Sequence, residues 1–177
     1  MLSNDMQRAF PVLIDQNTLA RRIAAMAEQL AQSLAQQPVV FAVVLEGART
    51  FAQALLLRMP GRPGFDTIRV ASYGAGTVSS GQVQLVQDLR TPVAGKTVVV
   101  LEDIVDTGRT VQFLDRHFRA AGARDVQVVA LLSKPSRRVV DVAVQLIGFE
   151  IPDRFVIGFG MDADGRHREL PHIAVFE

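Results

Sequence analysis

The segment from residue 98 to residue 110 combines an apolar run with three carboxylates and two threonine hydroxyls. It reads Val-Val-Val-Leu-Glu-Asp-Ile-Val-Asp-Thr-Gly-Arg-Thr. Glu102 and Asp103 close the apolar run. Adjacent acids at the end of a buried strand are costly unless water, a metal ion or a hydrogen-bond donor satisfies them. The pattern therefore indicates a site for a metal ion or for a ligand that donates hydrogen bonds.

The residues after these acids have the composition of a phosphate-binding turn. A loop between a parallel strand and a helix presents backbone N–H groups at the helix N-terminus, where the helix dipole also favours negative charge. Thr107 and Thr110 add hydroxyl donors, and Gly108 lets the backbone approach an anion without a Cβ in the way. The simpler alternative is a junction in which Asp106 or Thr107 only caps the helix. That alternative leaves the two adjacent acids unexplained.

A strand and a helix must position these residues, and the same strand-to-helix pattern recurs along the chain. Apolar runs of strand length predict strands at residues 39–45, 67–73, 97–101, 126–132, 142–147 and 155–159. Apolar residues at helical spacing predict helices from the capping residues 15–18 to about residue 36, at 50–59 and at 111–121. This alternation favours an α/β fold, with a mostly parallel central sheet flanked by helices and with ligands beyond the carboxyl ends of the strands.

Composition excludes several classes of protein. The chain has 177 residues, 49% of them hydrophobic and 21% charged, which predicts a single domain over residues 1–177. A net charge of +1 gives no electrostatic case for nucleic acid, and the lack of cysteine excludes disulfides and Cys-ligated zinc. No apolar run reaches the roughly 18 residues that a membrane-spanning helix needs. We therefore expect a cytoplasmic protein with no membrane partner.

Segment 98–110 resembles the motif for 5-phosphoribosyl 1-pyrophosphate (PRPP) in type I phosphoribosyltransferases, where two acids precede an aliphatic pair and Asp-Thr-Gly. The resemblance implies that Glu102 and Asp103 hold the ribose hydroxyls, partly through Mg²⁺. It also implies that residues 106–110 hold the 5′-phosphate. These residues are Asp106, Thr107, Gly108, Arg109 and Thr110.

Residues 45–48, Leu-Glu-Gly-Ala, stand where this family has a pyrophosphate loop, usually written Leu-Lys-Gly-Gly or Leu-Arg-Gly-Ser. The resemblance assigns Leu45, Glu46 and Gly47 to pyrophosphate, and it implies that the Leu45–Glu46 peptide bond can be cis. Glu46 departs from the family, because a carboxylate replaces the usual cation beside a ligand with several negative charges. We expect its side chain to be solvated at the surface, or to point towards a cation of a neighbouring subunit.

Residues 71–81 resemble the long catalytic loop of the family, with a return strand expected near 83–86. The resemblance implies that Ser72 and Tyr73 meet the pyrophosphate when this loop closes over the site. Closure of a loop rich in small residues would exclude water from a cationic reaction centre. From composition alone, the alternative is a flexible hairpin tip.

Two later segments, residues 131–138 and 151–171, resemble the hypoxanthine-guanine branch of the family, so the resemblance spans nearly the whole chain. It implies that Lys134 donates to the O6 carbonyl of a 6-oxopurine. Phe155 would stack on the purine, and the backbone of Val156 would bind the purine edge. Without the resemblance, Lys134 would be a solvated cation and Phe155 a core aromatic.

The same branch assigns roles to two charged residues near the C-terminus. Asp162 would meet a second Mg²⁺ and the exocyclic edge of guanine, and Arg168 would bind pyrophosphate. The expected metal ligands are Glu102, Asp103 and Asp162, since Mg²⁺ prefers oxygen ligands. Arg137 and Arg138 are expected to lie at the surface or in a subunit contact.

The reaction implied by the resemblance is a step of purine salvage. Hypoxanthine or guanine would join C1′ of PRPP through an oxocarbenium-like state, giving IMP or GMP and pyrophosphate. Asp106 is the candidate base at purine N7, and Mg²⁺ is the expected cofactor. The family also suggests a homodimer or homotetramer, and a small hood built from the terminal segments. Two alternatives stay open: a nucleotide-sensing, RNA-binding regulator on the same scaffold, and a non-catalytic nucleotide-binding domain.

Overall fold

The computed structural model of this protein describes residues 10–73 and 82–176. Its helices are α1 (Gln16–Ser33), α2 (Ala48–Leu56) and α3 (Arg109–Ala120), with a short 3-10 helix at Pro135–Arg137. Its strands are β1 (Val12–Ile14), β2 (Val39–Val44), β3 (Asp66–Tyr73), β4 (Gln82–Gln87), β5 (Thr97–Val105), β6 (Asp125–Ser133), β7 (Leu146–Glu150), β8 (Val156–Ile157) and β9 (Ile173–Val175). In this part of the chain, no helix is long and apolar enough to span a membrane.

A six-stranded sheet forms the centre of the fold, in the order β4-β3-β2-β5-β6-β7. The pairs from β3 to β7 are parallel, and the edge strand β4 is antiparallel to β3. The predicted α/β fold with a mostly parallel central sheet is confirmed. Because parallel strands end at the same edge, the loops after β2, β5 and β6 lie side by side, and these loops hold several of the predicted site residues.

Helices cover both faces of this sheet because the strands are apolar on both sides. Along β5, Val99 and Leu101 belong to a core layer that also contains buried residues of α1 and α2. Val98 and Val100 belong to the opposite layer, which contains the buried face of α3. This alternation is the period-two pattern of a strand buried on both faces. Packing on both faces therefore fixes strand β5, and with it the position of the site residues at its carboxyl end.

A second, three-stranded antiparallel sheet has the order β1-β9-β8 and joins the described terminal segments, as predicted for the hood. The prediction of a long strand at 155–159 was wrong. The strand contains Val156 and Ile157 alone and belongs to this small sheet, because residues 158–160 all turn with positive φ. The chain thereby folds back over the edge of the central sheet, where the candidate site lies.

The predicted fifth strand at 142–147 was displaced along the sequence, since β7 begins at Leu146. Val142 and Val144 pack against the α3 side of the core without joining the sheet. Gln145 then satisfies both backbone groups of Val128 before β7 begins, its N–H donating to the Val128 carbonyl and its side-chain carbonyl accepting from the Val128 N–H. The apolar pattern reflected burial, but the hydrogen bonds of the strand come later.

Candidate active site

A cleft of about 330 Å³ opens at the carboxyl end of the central sheet. The loop after β2, the end of β5, the loop after β6 and the segment after β8 all contribute to its lining. The lining residues are Glu46, Gly47, Asp103, Ile104, Asp106, Lys134, Phe155, Val156, Met161, Asp162 and Arg168. Side chains predicted separately for ribose, pyrophosphate and purine are therefore brought together in one cleft.

The two adjacent acids lie within β5, which continues to Val105 rather than ending at residue 101 as predicted. Glu102 is buried, and its Oε2 atom has no hydrogen-bond partner. Burial, and then the neighbouring Asp103 charge, raise the pKa of Glu102 well above its ordinary range. Such a buried, unpartnered oxygen is suited to a hydroxyl donor or a cation supplied by a ligand.

Asp103 lines the cleft and has an unusual protonation equilibrium. Burial raises its pKa to about 6, against the opposing effects of the Ile104 N–H and the Arg168 charge. The backbone N–H of Ile104 donates to its Oδ1 at 2.9 Å. The second oxygen, Oδ2, faces Gly47, where a Cβ atom would lie only 1.8 Å away. Gly47 thus allows the pyrophosphate loop to approach the β5 acid directly.

The predicted metal ligands do not form one cluster. Across residues 10–73 and 82–176, no three acidic, histidine or cysteine side chains are grouped so as to hold a metal ion. Successive strand residues face opposite sides, and Asp103 lines the cleft whereas its neighbour Glu102 does not. Asp162 is hydrogen-bonded elsewhere, since its Oδ2 accepts from the Gly165 N–H at 2.6 Å. A metal ion in this cleft would need most of its ligands from a bound substrate.

The phosphate loop leads directly into α3, which begins at Arg109 rather than at residue 111. Its N-cap is Gly108, with φ of 86°, so neither Asp106 nor Thr107 stands at the capping position, although the Thr107 hydroxyl accepts from the Arg109 N–H at 3.4 Å. A Cβ atom at Gly108 would lie 2.9 Å from the Val140 carbonyl oxygen. The first turn of α3 therefore keeps backbone N–H groups that can bind an anion.

Asp106 is fixed by two arginines that the sequence placed at the surface or in a subunit contact. Arg137 Nε donates to its Oδ1 at 3.1 Å, and Arg138 Nη1 donates to its backbone carbonyl at 3.0 Å. A second Arg138 nitrogen donates to Ser133 Oγ at 2.8 Å. The Asp106 hydrogen bond and charge, followed by Asp153, raise the pKa of Arg137. The surface prediction missed this contact within the chain.

The purine side of the cleft contains Lys134 and Phe155. Lys134 is only 8% exposed, and its Nζ lies 3.8 Å from Asp153 Oδ1. Arg137 Nη1 lies 3.7 Å from the other Asp153 oxygen, so Asp106, Arg137, Asp153 and Lys134 form a continuous charged chain. Phe155 is 56% exposed, which rules out the core-aromatic alternative. Its largely exposed ring, which meets Phe176 in a T-shaped contact at 5.7 Å, and the Lys134 cation in the same cleft suit a planar, electronegative ligand.

The segment after β8 lies against the pyrophosphate loop. Arg168 Nη2 lies 2.8 Å from Asp162 Oδ1, and Arg168 Nη1 donates to the Gly160 carbonyl at 2.6 Å. A Cβ atom at Gly160 would lie 2.4 Å from the Gly47 carbonyl oxygen. Arg168, which was predicted to bind pyrophosphate, is thus held at this junction. It is paired with Asp162, the predicted ligand of a second Mg²⁺.

Within the pyrophosphate loop, the Leu45–Glu46 peptide bond is cis, which agrees with the sequence expectation. The Glu46 carboxylate is not simply solvated, since it accepts from the Arg69 guanidinium of its own chain. Arg69, on β3, was missed because nothing in its local sequence marks it. Ser72 and Tyr73 were predicted to meet the pyrophosphate when the loop closes. Their side chains and the loop at 74–81 lie outside the part of the chain that the structure describes.

Comparisons with known proteins agree with this geometry. The profile of the phosphoribosyl transferase domain matches residues 13–164. The hypoxanthine-guanine phosphoribosyltransferase of Bacillus subtilis is 35% identical over all 177 residues, covering 97% of that protein. The chain belongs to the phosphoribosyltransferase family.

Solved structures show the same relationship. A hypoxanthine phosphoribosyltransferase from Staphylococcus aureus matches with a TM-score of 0.93 and 30% identity, covering 100% of this chain and 97% of the other. A Trypanosoma cruzi hypoxanthine phosphoribosyltransferase, in complex with the product IMP, matches with a TM-score of 0.86 and 31% identity, covering 97% and 96% of the two chains. This phosphoribosyltransferase is an enzyme of the purine-salvage type, and the alternative of an RNA-binding regulator is not supported.

Proposed function

We propose that this phosphoribosyltransferase transfers the 5-phosphoribosyl group of PRPP to hypoxanthine or guanine, giving IMP or GMP and pyrophosphate. The observation that carries the proposal is the layout of the cleft. Its lining includes Asp103 and Asp106, the latter in the loop that leads into α3, together with Lys134 and the exposed ring of Phe155. The first two suit a phosphorylated sugar, and the last two suit a 6-oxopurine.

At the sugar, the backbone N–H groups at the start of α3, with Thr107 and Thr110, would bind the 5′-phosphate. Asp103, which lines the cleft, would accept hydrogen bonds from the ribose hydroxyls, and the buried, unpartnered Oε2 of Glu102 would turn towards them when the substrate binds. As the bond from C1′ to pyrophosphate breaks, positive charge develops on the ribose ring. Acidic side chains fixed beneath the ring stabilise this charge without having to reorganise.

At the purine, the N9 lone pair forms the new bond to C1′ while Asp106 accepts the proton from N7. Arg137 and Arg138 hold Asp106 at the mouth of the phosphate loop, so the carboxylate needs little movement. Lys134 would donate to O6, and Phe155 would stack on the ring. The pyrophosphate leaves towards the loop that contains Leu45, Glu46 and Gly47.

Mg²⁺ belongs to the same proposal. The residues fit it, because Asp103 and Asp162 are carboxylates that line the cleft and Mg²⁺ prefers oxygen ligands. Asp103 and Asp162 would hold metal ions whose other ligands come from the substrate. When bound, the ion would neutralise charge on the departing pyrophosphate.

We expect Lys134→Ala to raise the KM for hypoxanthine about tenfold or more and to change the KM for PRPP less than about twofold. The reason is that a nearly buried cation, which would donate to O6, is removed from the purine side alone. Steady-state kinetics with each substrate varied in turn measure both constants. Lys96→Ala is the matched control, since Lys96 precedes β5 at the opposite end of the strand. Equal increases in both constants would contradict the purine assignment.

The proposed reaction is tested by mixing the protein with PRPP, Mg²⁺ and each of hypoxanthine, guanine, xanthine and adenine, and by measuring pyrophosphate release. We expect release with hypoxanthine or guanine, with formation of the corresponding nucleotide. A preference for adenine would overturn the assignment of Lys134 to O6.

We also propose a homodimer or homotetramer and a cytoplasmic location. The location follows from the substrate, because PRPP is multiply charged and does not cross a membrane unaided. The mass of the native protein by light scattering tests the assembly, and a monomer with full activity would overturn it.

A further inference from the structure

An ion pair next to the pyrophosphate loop has no part in the reaction described above. Glu46 of the loop and Arg69 of β3 pair within one chain, and their side chains are 40% and 43% exposed. Glu46 is one of the residues that line the cleft, and Arg69 pairs with it from β3.

The register of two parallel strands brings this pair together. Val44 of β2 lies opposite Ile68 of β3, and the Leu45 N–H donates to the Ile68 carbonyl at 2.9 Å. Arg69 is the residue after Ile68 on β3, and Glu46 is the residue after Leu45 in the loop that follows β2. The pairing of β3 with β4 also shifts register between Arg69 and Val70. A bulge of this kind turns a strand and redirects its side chains.

The ion pair matters because the lining of the cleft carries more acidic than basic side chains. Among the described residues that line the cleft, acids outnumber bases. The acids are Glu46, Asp103, Asp106 and Asp162, and the bases are Lys134 and Arg168. A ligand with several negative charges would be repelled by an uncompensated carboxylate on the loop that receives it. Arg168, the arginine that lines the same cleft, is already paired with Asp162 at 2.8 Å.

We propose that Arg69 is a positioning residue that neutralises Glu46 and holds its carboxylate away from the pyrophosphate. The cation that other members of the family have on the loop is supplied here by the neighbouring strand. The inference deepens the proposed function, because it assumes that pyrophosphate binds at this loop. It concerns affinity for PRPP and pyrophosphate, and not the chemical step.

The test is a double-mutant cycle of Arg69→Gln and Glu46→Gln, with KM for PRPP, kcat and the Kd for pyrophosphate with Mg²⁺ as readouts. We expect Arg69→Gln to raise the KM and the Kd about tenfold or more, with kcat within about threefold of the wild type. Glu46→Gln should lower the KM and the Kd about threefold or more, since it removes a carboxylate from the loop and leaves the Arg69 cation unpaired beside it. The double variant should recover to within about threefold, since the repelling carboxylate is gone. Arg119→Gln, which removes another exposed arginine paired with an acid, is the control.

Two results for the variants would contradict the inference, and two results for the wild type separate it from the proposed reaction. Unchanged affinity in Arg69→Gln would show that Glu46 needs no neutralisation. A double variant as weak as Arg69→Gln would show that Arg69 contacts the anion itself. If the wild type binds pyrophosphate but releases none from PRPP with any purine, the proposed reaction fails while the Kd values still decide the role of Arg69. A wild type that binds no pyrophosphate overturns both.

Discussion

Asp106→Asn is expected to lower kcat about 100-fold or more while changing the Kd for PRPP less than about twofold. Asparagine keeps the shape of the side chain and an oxygen for the Arg137 Nε hydrogen bond, which is 3.1 Å long in the native protein. The Arg138 bond to the backbone carbonyl is also unaffected. The variant therefore loses the ability to accept the N7 proton and little else. Single-turnover kinetics, together with calorimetric titration of PRPP, separate the two quantities.

Asp115→Asn is a closely matched control for this variant. Asp115 is as exposed as Asp106, at 38% of its side chain, and it also accepts from an arginine Nε, that of Arg119, at 2.9 Å. It lies on α3, away from the cleft lining. Loss of an exposed, paired carboxylate should by itself cost little, so this variant should keep wild-type kcat. Equal turnover in wild type and Asp106→Asn would remove Asp106 from the role of base.

The fold could be predicted from local signals because strands and helices here follow the apolar pattern. Strand β5 is apolar on both faces and α1 has its predicted cap, in which Asp15 accepts from the Thr18 N–H at 3.0 Å. The pattern reports burial rather than hydrogen bonding. It therefore misplaced β7, where buried valines precede the strand, and it lengthened β8, whose end is set by backbone turns at 158–160.

The members of the cleft could be predicted because they occur in contiguous motifs. Their partners could not, since each pairing joins residues distant in sequence. Arg137 is 31 residues from Asp106, and Arg69 is 23 residues from Glu46. These contacts depend on which strands are neighbours in the sheet and on their register, and sequence periodicity does not specify either. An exposed Glu at position 46 was expected, with a cation of a neighbouring subunit as the alternative partner, but pairing with Arg69 of the same chain was not expected.

Asp103→Asn is expected to stabilise the free protein and abolish its activity. Burial holds the pKa of Asp103 at about 6, against an ordinary value of 3.8. Between these two pH values the native state binds more protons than the unfolded state, so stability falls as pH rises through this range. Above pH 6 the buried, charged carboxylate lowers the free energy of unfolding by its full amount. A pKa shift from 3.8 to about 6 corresponds to about 3 kcal/mol at most. Asparagine carries no charge and removes the penalty.

The stabilisation should therefore depend on pH in a defined direction. Near pH 4 the wild type and Asp103→Asn should unfold at similar temperatures, and above pH 6 the variant should unfold about 5 °C higher or more. Thermal unfolding in EDTA from pH 4 to pH 8 measures this. Asp66→Asn should behave in the opposite way. Although burial raises the pKa of Asp66, backbone N–H groups led by those of Thr91 and Thr67 lower it overall, so its loss should destabilise the protein most at neutral pH.

With PRPP and Mg²⁺ bound, the wild type should unfold at a higher temperature than Asp103→Asn, which reverses the order of the free proteins. A ligand that binds the folded state alone raises the unfolding temperature of the protein, by an amount that grows with the logarithm of its affinity. If the Asp103 carboxylate holds the ribose or its metal ion, ligand binding should raise the unfolding temperature far more in the wild type than in Asp103→Asn. The cost of burying this charge in the free protein would then be recovered when substrate binds, as is common where function and stability conflict. Equal ligand-induced shifts in both proteins would show that Asp103 takes no part in binding PRPP.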